Sequence, residues 1–360
     1  MQTVTLSNPI PNKLYVELLD LYAYVSSADT KKLIQMPYDK SFADIQDILD
    51  TKVPWYERRD MVDSNIQQLV FPLGYTPRQD EVVVCISGGK DSIATALYYK
   101  ELGYNVYLYH LHGINKVYYD EYKAVEEIAR ILNLPYVIDE CTLSGTHDFV
   151  EHPLKNYIIA WGAISWAVHS CVTPNIAFGD FSESKLDSMP FDVCGGDSPE
   201  MWHAFDKIVQ RMLPDFHIQL PLRTQADTYL MLGRNMNLIQ ASMSCISPYR
   251  FREHWKKRTE NKYGITLLPH RCGCCWKCCQ ESVTLMDRHL IRSDDAYYIH
   301  CLEVLGKTLR REQDEYQVSV QDVWDEYISY PIADSILKGQ IENAFIQNGK
   351  IRYSKKTTRG

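Results

Sequence analysis

No stretch of this 360-residue chain approaches the roughly 20 consecutive apolar residues of a membrane-spanning helix. The opening Met1-Gln2-Thr3-Val4-Thr5 has neither the basic start nor the apolar run of a secretory signal. The expectation is a cytoplasmic protein with no membrane partner. Positive charge is also in deficit: 38 Lys and Arg against 46 Asp and Glu leave a net charge of −8. That balance argues against broad nonspecific nucleic-acid binding. Internal repeats and low-complexity tracts are absent, which sets solenoid arrays aside. What is present, 45% hydrophobic residues, is enough for a real core. The length predicts one large domain with extensions, or two domains.

Cysteine is not scarce. Five of the eleven cysteines crowd into residues 272–279. In a reducing compartment such clustering points to metal rather than to disulfides. Cys272, Cys275 and Cys278 follow C-x-x-C-x-x-C spacing, so successive thiolates can converge on one ion. Cys245 is the expected fourth ligand and His270 its rival, while Cys274 and Cys279 are read as packing residues. Four thiolates suit either Zn²⁺ or an iron–sulfur cluster. As zinc the site would be structural, because no coordination position stays open.

Four regions follow from the patterning. Residues 1–80 read as a helical N-terminal extension, with stripes over 12–27 and 42–49. Residues 81–244 alternate strand and helix, which predicts an α/β fold with a parallel, doubly wound sheet. Strands are expected at 81–86, 105–111, 135–138, 175–179 and 217–221, and helices at 91–102, 119–132, 154–170, 199–212 and 225–235. Residues 245–285 form the cysteine knuckle, opened by a helix at 249–261. Residues 286–360 read as mostly helix up to 346, with a basic tail (Lys350, Arg352, Lys355, Lys356, Arg359) expected to be solvated and frayed.

The sharpest motif is Ser87-Gly88-Gly89-Lys90-Asp91-Ser92, which joins the apolar run from Val82 to Ile86 to a helical pattern. Backbone amides, two hydroxyls and a lysine at a helix N-terminus favour phosphate. A Walker A loop would need Gly where Val84 stands and Ser or Thr where Asp91 stands. The competing reading is a Gly-rich strand-to-helix turn with a Ser/Asp cap. Ser87, Gly88, Gly89, Lys90, Asp91 and Ser92 are the candidate ATP-binding residues. Lys90 would neutralise phosphate charge, and Asp91 either caps the helix or holds Mg²⁺ through water. Asp180 ends a predicted strand and belongs with them as a catalytic candidate.

The hexapeptide resembles the PP-loop of the ATP pyrophosphatase superfamily, whose members cleave ATP between the α and β phosphates, which implies Lys90 on the departing pyrophosphate. With the knuckle added, the chain is similar to the 7-cyano-7-deazaguanine synthases of queuosine precursor synthesis. Further similarities run in order over about 81–285: His112-Gly113-Ile114-Asn115-Lys116, Lys155-Asn156, Gly179-Asp180, Pro190-Phe191-Asp192-Val193-Cys194, Leu220-Pro221-Leu222 and Ser244-Cys245. The resemblance implies adenylation of a 7-carboxy-7-deazaguanine-like substrate by ATP, amide formation with ammonia or another amine, and dehydration to a nitrile. It implies the cofactors Mg²⁺ and Zn²⁺, Asp192 on the guanine-like edge, Asn156 orienting substrate, and a homo-oligomer among the options. Lys90 stands where these synthases carry an uncharged residue and is typical of sulfur-transfer relatives. The alternatives are therefore a sulfurtransferase acting on a nucleobase or tRNA, conjugation of the deazaguanine to an amine of a partner protein, and a binding module that holds nucleotide without turnover.

Overall fold

The computed structural model describes residues 3–6, 79–113, 120–144, most of 155–182 and 217–284, scattered positions in 202–210 and 296–307, and 341–347 with 350–355. Strand β1 is Thr3–Leu6 and β2 is Glu81–Cys85; helix α1 (Lys90–Glu101) leads to β3 (Asn105–His112). Next come α2 (Glu121–Leu132), β4 (Tyr136–Ser144), α3 (Lys155–His169), β5 (Asn175–Ala177) and β6 (His217–Gln219). Then follow α4 (Gln225–Leu232), α5 (Met236–Ala241), α6 (Tyr249–Tyr263) and α7 (Trp276–Thr284), and the hairpin strands β7 (Ile341–Gln347) and β8 (Lys350–Lys355).

The main sheet runs β1-β4-β3-β2-β5-β6. Its five strands from β4 to β6 are all parallel, and β1 joins the edge antiparallel to β4. Every residue of β2 is buried, as a central strand covered on both faces requires. Side-chain alternation sorts the layers. Val82, Val84, Val106 and Leu108 enter the core built with α1, α2, α4 and α5. Tyr107 and Tyr109 point the opposite way, each tilted against Trp166 of α3. A Cβ on Gly162 of α3 would lie 2.3 Å from the Tyr109 hydroxyl, so only glycine lets that helix lie so close to β3. With helices on both faces, the expected doubly wound arrangement is present. From β2 the chain winds first toward β3 and β4, then returns to β5 and β6 on the other side. The switch point lies between β2 and β5, where ligands bind at the strands' carboxyl ends in such sheets.

Several elements differ from the sequence reading. The helix expected over 225–235 ends at Leu232, and a further short helix, α5, follows it, started by the Asn235 side chain accepting from the Leu238 amide. Strand β4 runs on to Ser144, where β1 pairs with it. The last stretch is not all helix and frayed end: β7 and β8 pair antiparallel from Ile341↔Lys355 to Gln347↔Lys350. The helical stripes at 12–27 and 42–49 lie outside the described residues.

Candidate functional site

A cleft of about 260 Å³ opens at the switch point. Ser87, Gly89, Lys90, Asp91 and Ser92 of the loop motif line it, without Gly88, together with His110 and Leu111 from the end of β3, Gly179 and Asp180 after β5, and Asn156 of α3. Met243, Ser244, Cys245 and Lys277 close it from the cysteine region. Residues predicted from three separate motifs thus face one space. Asp192, and the side chain of Lys155, lie outside the described residues.

The loop is closed upon itself. The Gly89 amide donates to Ser87 Oγ at 3.2 Å, the Ser87 amide to Ser92 Oγ at 3.3 Å, and Ser92 Oγ to the Gly89 carbonyl at 3.0 Å. Gly88 takes φ +79°, a conformation open to glycine, and an added Cβ would sit 3.1 Å from Ala124 of α2. Gly179 lets β5 abut α1: a Cβ there would lie 2.6 Å from the Ser92 amide nitrogen and 2.7 Å from the Asp91 carbonyl carbon.

Lys90 is buried, and its ammonium is 2.8 Å from Asp91 Oδ2 and 3.0 Å from Oδ1. Asp91 Oδ1 also accepts from Thr228 Oγ1 at 2.8 Å and Gln225 Nε2 at 3.1 Å, both on α4. Asp91 therefore positions Lys90 and anchors α4, and a water-bridged Mg²⁺ would compete with these donors. Asp180 Oδ2 accepts from the Trp202 indole at 2.6 Å, which fixes the carboxylate at the cleft. Cys85 is buried in β2, with its thiol pushed up by burial and then by the Asp180 charge, in keeping with a packing role.

His110 was not legible as a site residue. It sits mid-run in an apolar strand, and only the sheet order brings it beside the loop. Its Nδ1–H donates to the Ile86 carbonyl at 2.9 Å. Burial pushes its pKa down to about 4, against the raising effect of that bond and with a smaller lowering from His112. The imidazole is neutral at pH 7.

The sulfurs of Cys245, Cys272, Cys275 and Cys278 all lie within 4.8 Å of one another, a donor set able to hold a metal ion. Cys245 is the fourth member, as expected, and His270 stands outside the quartet at φ +58°. Backbone amides already point at these sulfurs. Ser247 donates to Cys245 Sγ at 3.4 Å, Cys274 and Cys275 to Cys272 Sγ at 3.4 and 3.3 Å, and Cys278 to Cys275 Sγ at 3.5 Å. Such bonds stabilise thiolates. The Cys272 thiol is held far below its ordinary value, first by its hydrogen bond with Cys245 and then by those with Cys274, Cys275 and Cys278.

The segment from 242 to 247 spans the two sites. The Met243 amide donates to the Gly88 carbonyl at 2.7 Å, and the Lys90 amide donates to Ser244 Oγ at 3.2 Å. Buried Arg271 donates to the Ser242 carbonyl, to Ser242 Oγ at 2.7 Å and to the Ile239 carbonyl at 3.1 Å. It pairs with buried Glu281 of α7. Buried Arg252 of α6 reaches Asp120 at 2.8 Å and the Ser247 carbonyl at 3.3 Å.

Sheet and cleft together define an α/β protein with a cleft at its switch point and a four-cysteine cluster on the rim. Compared with known proteins, the chain matches no family model and no curated sequence. Among the described residues, no helix is long and apolar enough to cross a membrane.

Proposed function

We propose that this chain is an ATP-dependent C–N ligase that adenylates the carboxylate of a 7-deazaguanine. The observation that carries the reading is the shared cleft: the Ser87–Ser92 loop, Asp180, Asn156 and Ser244-Cys245 line one space at the switch point. The substrate carboxylate attacks the α-phosphorus of ATP and pyrophosphate leaves, giving an acyl-adenylate. Ammonia then attacks the acyl carbon, the carbon–oxygen bond to AMP breaks, and an amide forms. A second adenylation on the amide oxygen lets AMP leave with that oxygen, and loss of the nitrogen protons leaves the nitrile.

In this scheme the loop amides and the Ser87 and Ser92 hydroxyls receive the phosphates. Lys90 offsets charge on the leaving pyrophosphate. Mg²⁺ arriving with the nucleotide supplies further charge neutralisation. Asp180, held by Trp202, is aimed at the reacting groups, and Asn156 orients substrate. Asp192 is assigned the guanine-like edge on the resemblance alone.

The metal is read as zinc. Tetrahedral Zn²⁺ with Zn–S bonds of about 2.3 Å demands sulfurs about 3.8 Å apart. Cys245 to Cys275 and Cys272 to Cys278 are each 3.9 Å. In an iron–sulfur cluster the cysteines bind different irons, which spreads the sulfurs further. This spacing supports the ligase reading over a cluster-dependent sulfurtransferase. The test is mass spectrometry of products from ATP, 7-carboxy-7-deazaguanine and ammonia. A nitrile product with AMP and pyrophosphate is expected. AMP without nitrile points to another amine, such as one on a partner protein, and no AMP refutes the substrate assignment.

A further inference from the structure

Helix α6 contributes little to the core: of its fifteen residues, only Arg252 and Thr259 are buried. Those two and Trp255 fix how the helix lies. Arg252 reaches Asp120 and Ser247, Thr259 Oγ1 donates to the Cys272 carbonyl at 3.1 Å, and Trp255 packs on the Cys245, Cys272 and Cys278 cluster. At 100° per residue these anchors form one stripe. The opposite face carries Arg250, His254, Lys257, Arg258 and Asn261, all exposed, with one exposed carboxylate, Glu253, between Arg250 and Lys257. Arg250 to Asn261 spans about 16 Å along the axis. Glu260 is turned inward to accept from the Leu267 amide at 2.9 Å.

Aromatic surface borders the cations. Phe251 is 47% exposed, stacks on Trp255 at 5.9 Å, and has the Arg250 guanidinium 5.6 Å from its ring centre. Tyr249 is 44% exposed. The helix starts three residues after Ile246, which lines the cleft. Three exposed cations against one carboxylate make this face net positive on a chain of net charge −8, a local feature that the overall balance conceals.

We propose that the outer face of α6 docks single-stranded nucleic acid, with its phosphates along Arg250, Lys257 and Arg258 and an unpaired base on Phe251. A cationic track interleaved with an exposed ring is the arrangement that binds single strands. An acidic protein would use the cations but not the exposed part of the Phe251 ring. The surface is independent of the ligase reading.

The test is fluorescence anisotropy of a labelled 12-nucleotide single strand on the full metal-loaded chain. Three neutralised phosphates give a salt slope near −2, so the dissociation constant should rise about 20-fold from 50 to 200 mM salt. The combined Arg250→Ala, Lys257→Ala, Arg258→Ala variant should bind at least tenfold more weakly and lose most of the slope. Phe251→Ala alone should cost about fivefold or more. Circular dichroism and the thermal unfolding midpoint of both variants should match the parent, which shows them folded. No binding at 50 mM salt overturns the proposal, as does equal binding by the triple variant. Equal binding of a 12-base-pair duplex, or equal competition by polyglutamate, overturns it in favour of a charge-only surface.

Discussion

Removing the metal should loosen the phosphate loop, and the size of that effect can be worked from two hydrogen bonds. Cys245 belongs to the four-sulfur set, and its neighbours Met243 and Ser244 are bonded to Gly88 and Lys90 of the loop. Each bond contributes about 1 kcal/mol net. If metal loss frees the 242–247 segment, both are forfeited, so metal and nucleotide are coupled by up to about 2 kcal/mol, roughly 30-fold in affinity. Linkage requires reciprocity: ATP must tighten metal binding by the factor by which metal tightens ATP binding. The assay is isothermal titration of a non-hydrolysable ATP analogue on loaded and chelator-stripped protein, beside chelator competition with and without nucleotide. Ser244→Ala should keep the metal and reduce the coupling to about fivefold, one bond's share. Had Ser244 merely touched the nucleotide, the variant would weaken binding equally in both metal states and leave the ratio intact. Equal ATP affinity with and without metal, in stripped protein that circular dichroism shows folded, refutes the reasoning.

Gly179→Ala drives a methyl into the Asp91–Ser92 backbone; we expect a loss of about 1–3 kcal/mol in denaturant unfolding and weakened ATP binding. His110 has a folded pKa below its unfolded one, so the unfolded chain binds the extra proton between about pH 6.5 and 4, and stability is lost as pH falls through that window. The loss attributable to this group is about 3 kcal/mol, and it should vanish from the pH profile of urea midpoints in His110→Asn. Asp91→Ala strands the buried Lys90 ammonium and should cost about 3–5 kcal/mol in thermal unfolding, whereas Lys90→Met with Asp91→Ala should regain most of it. Cys272→Ser should release the metal, read by elemental analysis, while Cys274→Ser should retain it.

The core of the sheet was legible because its signals are local. Val82 to Ile86 is a continuous apolar run ending in a Gly-Gly turn, and each following strand is marked off by a helix stop or a proline. The quartet was legible for the same reason: two-residue gaps place three thiols together, and Ser244-Cys245 supplied the fourth. What escaped notice depends on tertiary context. His110 looks like one more strand residue until β3 lies beside β2 and puts the ring under Ile86. Helix α5 was missed because its six residues are too few for a clear periodic signal, although Asn235 marks its start. The terminal hairpin carried its own signal, Asn348-Gly349 between two alternating runs, outweighed by the cationic composition of the tail. The outer face of α6 was hidden by the reverse error, a global charge balance standing in for a local one.

The six loop residues have a double character. As sequence they are a phosphate motif, yet in the fold much of their bonding capacity is engaged by protein. Asp91 neutralises Lys90, α4 holds Asp91, and Ser244 takes the Lys90 amide. A loop that presented bare cation and amides inside a cleft would be costly to fold, because buried unpaired polar groups lose solvation without return. The internal pair removes that cost. Under the proposed function a nucleotide would compete with Asp91 for the Lys90 ammonium, and selectivity would follow from the competition. A weak monovalent anion cannot displace a carboxylate held by two further donors, whereas a triphosphate brings more charge and several acceptor oxygens. Under the proposed function the buried pair would reserve Lys90 for a polyphosphate, which would give the lysine at the fourth loop position a role that ion pairing alone would not explain.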